Sequence, residues 1–168
     1  ATSGRGLLSV YKQDHGAALY RRGMYTLIKR TVPPPTMAIF DASNRDMCEV
    51  KRLKTNTPLQ ALVMMNDPAV LEASRVLAAT LLEEKSNAKE KISKAFRLIV
   101  CRKPAEKELE VLTNYFNKQL KTIEDQSADK MLAIGERPLN KRIDKKTLAA
   151  MMRVISTIYN LEETIMKS

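Results

Sequence analysis

Two groups of side chains carry whatever chemistry this sequence can offer. The first lies in residues 52–68, where Arg52, Thr55, Asn56, Thr57, Gln60, Asn66 and Asp67 stand among short apolar runs. Such a set can hydrogen-bond a ligand, and we take this stretch as the one around which the chain is organised. Capping and turn chemistry alone also accounts for Thr57, Gln60 and Asp67. The second group is Arg21, Arg22, Tyr25, Lys29 and Arg30, followed by Asp41 and Arg45. Arginine forks bind phosphate or sulfate esters, and a tyrosine beside them stacks on a sugar or a base. The plainer alternative is a solvated basic face whose long stems lie over apolar surface.

The types that run reactions on their own are missing. His15 is the single histidine and has no acidic or nucleophilic partner at a recognisable spacing, so it is not read as a catalytic base. Cys48 and Cys101 stand in no metal-binding or haem-attachment pattern, and their spacing does not decide whether they pair. No phosphate-cradling glycine loop, nucleophile elbow or zinc pattern occurs. The acids Asp41 with Asp46, and Glu162 with Glu163, are matches that any chain of this length produces. No catalytic residue, metal ligand or cofactor site is therefore assigned.

Composition sets the class. The chain has 168 residues, enough to bury a core, with 44% apolar residues, no Trp and 5 Gly. That balance suits helices packed through Leu, Ile, Met and Ala. No apolar run is long enough to span a membrane. The first residues contain neither Met nor an apolar stretch of the signal-peptide kind, and they look like the middle of a longer protein. The net charge is +10, and it is uneven: residues 1–60 hold 10 basic and 4 acidic side chains, residues 61–168 hold 19 and 15. An excess of this kind attracts nucleic acid, acidic polysaccharide or an acidic module, or simply keeps a surface soluble.

The elements that must position these groups read as helices. Residues 1–16 are an irregular lead-in. Residues 17–30 predict a helix with Tyr20, Met24, Leu27 and Ile28 on one stripe and a basic outer face. The prolines at 33–35 end it, and residues 31–56 form a long connection, expected to wrap in order on the helices with Met37 and Phe40 as anchors and Asp41 paired to Arg45 or to an arginine of the first helix. Thr57-Pro58 with Gln60 is a capping box, and Asp67-Pro68 repeats the start. Leu59, Leu62, Val63 and Met65 are expected to bury, as are Val70, Leu71, Ala73, Val76, Leu77, Leu81 and Leu82 of a helix reaching about residue 85. Further helices follow over residues 88–102 and from Pro104 to Ile123, then a break at 125–128, a short helix ending at Gly135, and a last helix capped by Asp144 and running to about Met166. The expected architecture is all-α, an irregular bundle of about five to six helices with a long Pro-containing loop after the first, in a single domain whose helical core spans 57–168.

Several motifs together carry a resemblance. Tyr20-Arg21-Arg22-Gly23-Met24-Tyr25 through Thr31, the prolines with Phe40-Asp41-Ala42 and Arg45-Asp46-Met47-Cys48, and Thr55 through Leu62 with Asn66-Asp67-Pro68 belong to it. So do Phe96-Arg97-Leu98, Ala133-Ile134-Gly135-Glu136 and Asn160-Leu161-Glu162-Glu163-Thr164. This pattern resembles the C-terminal domain of the planctomycete cytochrome-c-associated protein family, a domain of unknown function. Gly23, Lys54 and Glu162 depart from it, where Ser, Arg and Asp are usual. The resemblance implies the C-terminal part of an exported multidomain protein, periplasmic or at the cell surface, with haem carried only by an upstream module and a link to polysaccharide breakdown. It supplies no catalytic residue.

The function expected from all this is a non-catalytic interaction or scaffold domain, docking a neighbouring module or an acidic or sulfated glycan. The candidate cluster is Arg21, Arg22, Tyr25, Lys29, Arg30, Asp41, Arg45, Arg52, Asn56, Gln60, Asn66 and Asp67. The alternative is a catalytic or redox site in which Asp41, Arg45, Asn56 and Asp67 line a pocket completed by upstream residues. Nucleic-acid binding is a second alternative, supported by basicity alone and without a helix-turn-helix pattern.

Overall fold

The structure is a computed structural model, and it describes residues 14–26, 28, 33–43, 50–51, 55–139 and 142–166. Among these residues the fold is all-helical, an irregular bundle without a strand. Its α-helices are α1 (Pro35–Ile39), α2 (Pro58–Asn66), α3 (Pro68–Leu82), α4 (Ala88–Val100), α5 (Glu106–Thr122), α6 (Asp125–Leu132), α7 (Lys145–Tyr159) and α8 (Glu162–Ile165). Two 3₁₀ turns, Gly16–Tyr20 and Gly23–Tyr25, precede them.

The centre of the packing is α7, not the 52–68 stretch. Leu148, Ala149, Ala150, Met151, Met152, Val154, Ile155 and Ile158 are all buried, so α7 is enclosed on nearly every side. It packs most extensively on α3 and α5, and also touches α2, α4, α6 and α8. Asp144 starts it by accepting the amide of Thr147 at 2.9 Å. Its two alanines leave room for neighbouring helices to approach closely. The helix stops at Tyr159, short of the expected end, because Leu161 is extended at ψ 144 before α8 begins.

The seams of the other long helices follow their periodicity. Ile92, Ala95 and Phe96 of α4 and Leu112 and Phe116 of α5 are buried. Ile123 is buried too, and its extended backbone places the break at Ile123 and Glu124, so that α6 begins at Asp125 where a break was expected. On α3 the inward positions are Glu72, Ser74, Arg75, Ala78 and Leu81, while Ala73 is exposed. Leu71, Leu77 and Leu82 pack partly buried against the core as expected, and the Glu72–Arg75 ion pair shares the inward face with them.

Residues 17–30 do not form one helix. The first 3₁₀ turn ends at Tyr20, and Arg21 and Arg22 are extended, with ψ 148 and 147, before the second turn starts at Gly23. Glycine mid-helix is costly, and Tyr20 turns aside to meet α3. A Cβ on Gly23 would stand 3.3 Å from the Met37 methyl, so the second turn lies close against α1. The connection after it contains α1, begun by Pro35, with Met37, Ile39 and Phe40 half-buried.

Candidate functional site

Gln60 is the anchor of the first polar group. The capping box at the start of α2 forms as its sequence predicts: Gln60 N donates to Thr57 Oγ1 at 3.4 Å, and Thr57 N donates to Gln60 Oε1 at 3.1 Å. The Gln60 amide, 1% exposed, also donates to the Ile39 carbonyl at 2.8 Å and to Thr55 Oγ1 at 3.2 Å. Asp41 joins the network by accepting from Thr55 N at 2.8 Å and Thr55 Oγ1 at 2.7 Å. Those two donors, the hydroxyl first, hold the Asp41 carboxyl below its usual range. Asp41 sits in the left-handed region at φ 55, which its short polar side chain tolerates better than most.

Among the described residues the partner of Asp41 is Thr55, while Arg45, one of the arginines expected there, lies outside them. Asp67 caps α3 through the Ala69 amide at 2.8 Å, and Asn66 returns to the Leu62 carbonyl at 2.8 Å. Asn56 is exposed. So Asp41 and Gln60 come together through Thr55, while Asn66 and Asp67 serve the two helix ends. Arg21, Arg22 and Tyr25 are exposed on the segment that precedes α1. Lys29, Arg30, Arg45, Arg52 and Cys48 lie outside the described residues. Cys101 is free and exposed.

A second polar centre, which sequence reasoning missed, lies on α3. Glu72 is 5% exposed and Arg75 3% exposed, with their charged ends 3.5 Å apart. Glu72 accepts the Arg137 amide at 2.5 Å, and Arg75 donates to the Arg137 carbonyl at 2.7 Å. The Tyr20 hydroxyl completes the site, donating to the Glu72 carboxylate at 3.1 Å. Burial and the neighbouring carboxylate together push the Tyr20 phenol up from its ordinary value. The Arg137 guanidinium lies 5.3 Å above the Tyr20 ring centroid, a cation–π distance.

Gly135 is what lets the loop come this close. Its φ is +92, and a Cβ there would stand 2.5 Å from Glu72 Cδ. Next to it Glu136 accepts from His15 Nδ1 at 2.6 Å and from Gly16 N at 2.7 Å, and these donors, His15 first, lower its carboxyl. The first 3₁₀ turn is thereby fastened to the loop and to α3. Between them opens a cleft of about 470 Å³ whose walls include Leu19, Tyr20, Pro68, Glu72, Val76 and Arg137. One signal of this centre was present in the sequence: Arg75 interrupts an apolar stripe of Leu71, Ala78 and Leu82, a position where a charge needs a buried partner.

A third junction holds the ends of three helices. Arg102 donates to both oxygens of Glu108, at 2.7 and 2.8 Å, and to both oxygens of Glu163, each at 2.8 Å. Its guanidinium lies 4.8 Å from the Phe96 ring centroid. Glu108 also accepts the Ala105 amide at 2.7 Å.

The family model described as PSD1, a protein of unknown function (DUF1553), matches residues 4–116. The chain belongs to the DUF1553 family. No curated protein and no solved structure matches it. Within this DUF1553 chain, motifs on either side of the matched range meet in space. Glu72 and Gly16 lie inside it and hold Arg137 and Glu136 outside it; Arg102 lies inside and holds Glu163. Among the described residues, no group of three or more His, Cys, Asp or Glu side chains could hold a metal ion, and no helix is long and apolar enough to cross a membrane.

Proposed function

We propose that this DUF1553 chain is a non-catalytic helical interaction domain that docks a neighbouring module of its own polypeptide through α2. One observation carries the reading. Leu59, Leu62 and Met65 recur at helical spacing with 51%, 56% and 55% of their surface exposed. The nine residues of α2 include no charged side chain. They were expected to bury, but the bundle takes Gln60 instead and turns this strip outward. Contiguous apolar surface of that kind marks a contact site.

The strip does not end at the helix. Met65 lines a cleft of about 440 Å³ with Leu71, Tyr115 and Met152, and Leu62 lines a shallower groove of about 510 Å³ beside Pro35 and Ile39. Partner side chains seated on the strip have room to enter on both sides. The choice of a neighbouring module rests on the resemblance, which implies exported multidomain proteins with an upstream cytochrome-c-like module and a link to polysaccharide breakdown. On this reading, haem belongs to that module. The alternative of a catalytic or redox site around Asp41, Arg45, Asn56 and Asp67 has less support, since Asp41 is engaged by Thr55 and Asp67 by the α3 amide.

A second reading has its own observation: Arg21, Arg22 and Tyr25 are exposed together next to the bundle. That arrangement suits an acidic, sulfated glycan better than nucleic acid, for which only the overall charge speaks. The docking reading is tested by supplying the upstream module separately and measuring association with the chain. Leu62→Glu is expected to weaken it at least tenfold while the helical content is retained. Equal affinity for the variant and the parent would contradict it.

A further inference from the structure

The cleft between the first 3₁₀ turn, α3 and the 135–137 loop has the size and the polarity of a small-molecule site. Its volume of about 470 Å³ lies in the range of ordinary ligand pockets. The walls are mainly apolar carbon, from Leu19, Pro68, Ala73 and Val76. Against that background stand a buried carboxylate, Glu72, and a guanidinium, Arg137.

The charges of this cleft balance. Glu72 is paired by Arg75, and Glu136 sits beside Arg137 and is met by His15 and Gly16. A polyanion would gain from Arg137 and lose to two carboxylates; an ammonium ligand would meet the reverse. Hydrogen-bonding capacity, by contrast, exceeds the partners in place: the Arg137 guanidinium acts on the Tyr20 hydroxyl, which in turn gives to Glu72. Glu72 Oε2 receives the Tyr20 hydroxyl at 3.2 Å, a single donor that it shares with Oε1 at 3.1 Å. A carboxylate oxygen has lone pairs for more than that, and a guanidinium carries five N–H donors. An acceptor next to a donor fork pairs with adjacent hydroxyls, because each hydroxyl both gives and takes. The apolar wall then suits the C–H face of the ring that bears them.

We infer that this cleft binds a neutral polyhydroxylated ring, a pyranose unit either free or at the end of a chain, with its hydroxyls shared between Glu72 and Arg137. The site is separate from α2 and stands whether or not α2 docks a module. Its selectivity for an uncharged ligand also runs against the net charge of the whole chain.

The experiment is a ¹⁵N-HSQC titration of the chain with glucose, galactose, mannose and xylose, with cellohexaose and xylohexaose, and with glucuronate and sulfate as charged probes. The expected result is saturable shifts at the amides of Ala73, Gly135 and Arg137 with at least one neutral sugar. Binding by hexaoses alone assigns a chain unit; binding by monosaccharides as well assigns a free ring. Arg137→Ala removes the donor fork while leaving the backbone that Glu72 and Arg75 hold, and Ala73→Phe fills the cleft from an exposed helix position. Each should raise Kd at least tenfold, whereas Lys118→Ala, at an exposed position of α5 away from the cleft, should change it less than twofold. No shift with any neutral sugar, binding of the charged probes alone, or unchanged affinity in both cleft variants would overturn the inference.

Discussion

Glu72 and Arg75, one turn apart on α3, bracket a single residue of a distant loop: the first takes the Arg137 amide, the second gives to the Arg137 carbonyl. The pair is buried and Arg75 Nε has no hydrogen-bond partner among the described residues, so Glu72 and the Arg137 carbonyl are what compensate the Arg75 charge. Removing one partner strands the other charge away from water, which costs about 3–5 kcal/mol in comparable sites. Glu72→Ala is therefore expected to lower the stability of the chain by that order, read from urea unfolding followed by circular dichroism. A loss below about 1 kcal/mol would show that Arg75 finds another partner.

Gly135 reports on the same contact from the loop side. Alanine there combines a positive φ with a Cβ inside the Glu72 side chain. About 2–4 kcal/mol of destabilisation is expected from strain and overpacking together. Gly16, also at positive φ but with nothing within 4 Å of its Cβ position, supplies the comparison, and alanine there should cost clearly less.

Gln60 should show a two-part effect. Gln60→Ala deletes the reciprocal half of the α2 cap and two donors that hold Ile39 and Thr55. A loss of about 2 kcal/mol or more is expected, from the cap and from the carbonyl left without its donor. Limited proteolysis should then cut within residues 33–43 faster than in the parent. Unchanged cleavage would mean that α1 is held by its apolar contacts alone.

The Arg102 junction predicts acid sensitivity. The Arg102 guanidinium, and after it the Ala105 amide, lower the Glu108 carboxyl to about 2, and Arg102 lowers Glu163 as well. A carboxyl depressed in the folded state stabilises fully above its unfolded value and loses that contribution as pH falls through the folded one. The window runs from the ordinary carboxylate range near pH 4 down to about 2. Tm is expected to drop across this window, and the Tm gap between the parent and Arg102→Met should narrow as it does. A gap constant from pH 7 to 2.5 would contradict the linkage.

Much of the bundle was legible because its signals are local. The caps at Thr57, Asp67 and Asp144 depend on side chains one turn from the amides they bind, and the seams of α4, α5 and α7 repeat with the helix period. What the sequence could not show depends on distant partners. The Glu72 carboxylate is 65 residues from the amide it accepts, and an acid and an arginine three residues apart read equally well as an exposed pair. Tyr20 has the spacing of a helix stripe, yet its hydroxyl is drawn to Glu72 and the helix gives way to two turns. In α2 nearly every side chain is apolar, so periodicity could not tell which face turns inward; buried Gln60, tied to the 33–43 segment, makes that choice. Of the candidate cluster, Asp41 and Gln60 meet through Thr55, a contact across 14 and 5 residues, while Arg21 and Arg22 stay exposed.

The exposed arginines give a prediction of their own. Binding to a sulfated polysaccharide should weaken with added salt and fall severalfold in the Arg21→Ala, Arg22→Ala double variant. Equal binding to DNA and to the sulfated polymer would assign the effect to net charge.

The most direct measurement of the docking account is oxidative footprinting of Met65 in the chain alone and within the longer polypeptide that the resemblance implies. Met65 and Met24 are both well exposed here, at 55% and 65%, and Met24 lies off α2. The account predicts that Met65 oxidation slows at least fivefold when the neighbouring module is present while Met24 keeps its rate. Equal oxidation of Met65 in both forms would contradict it.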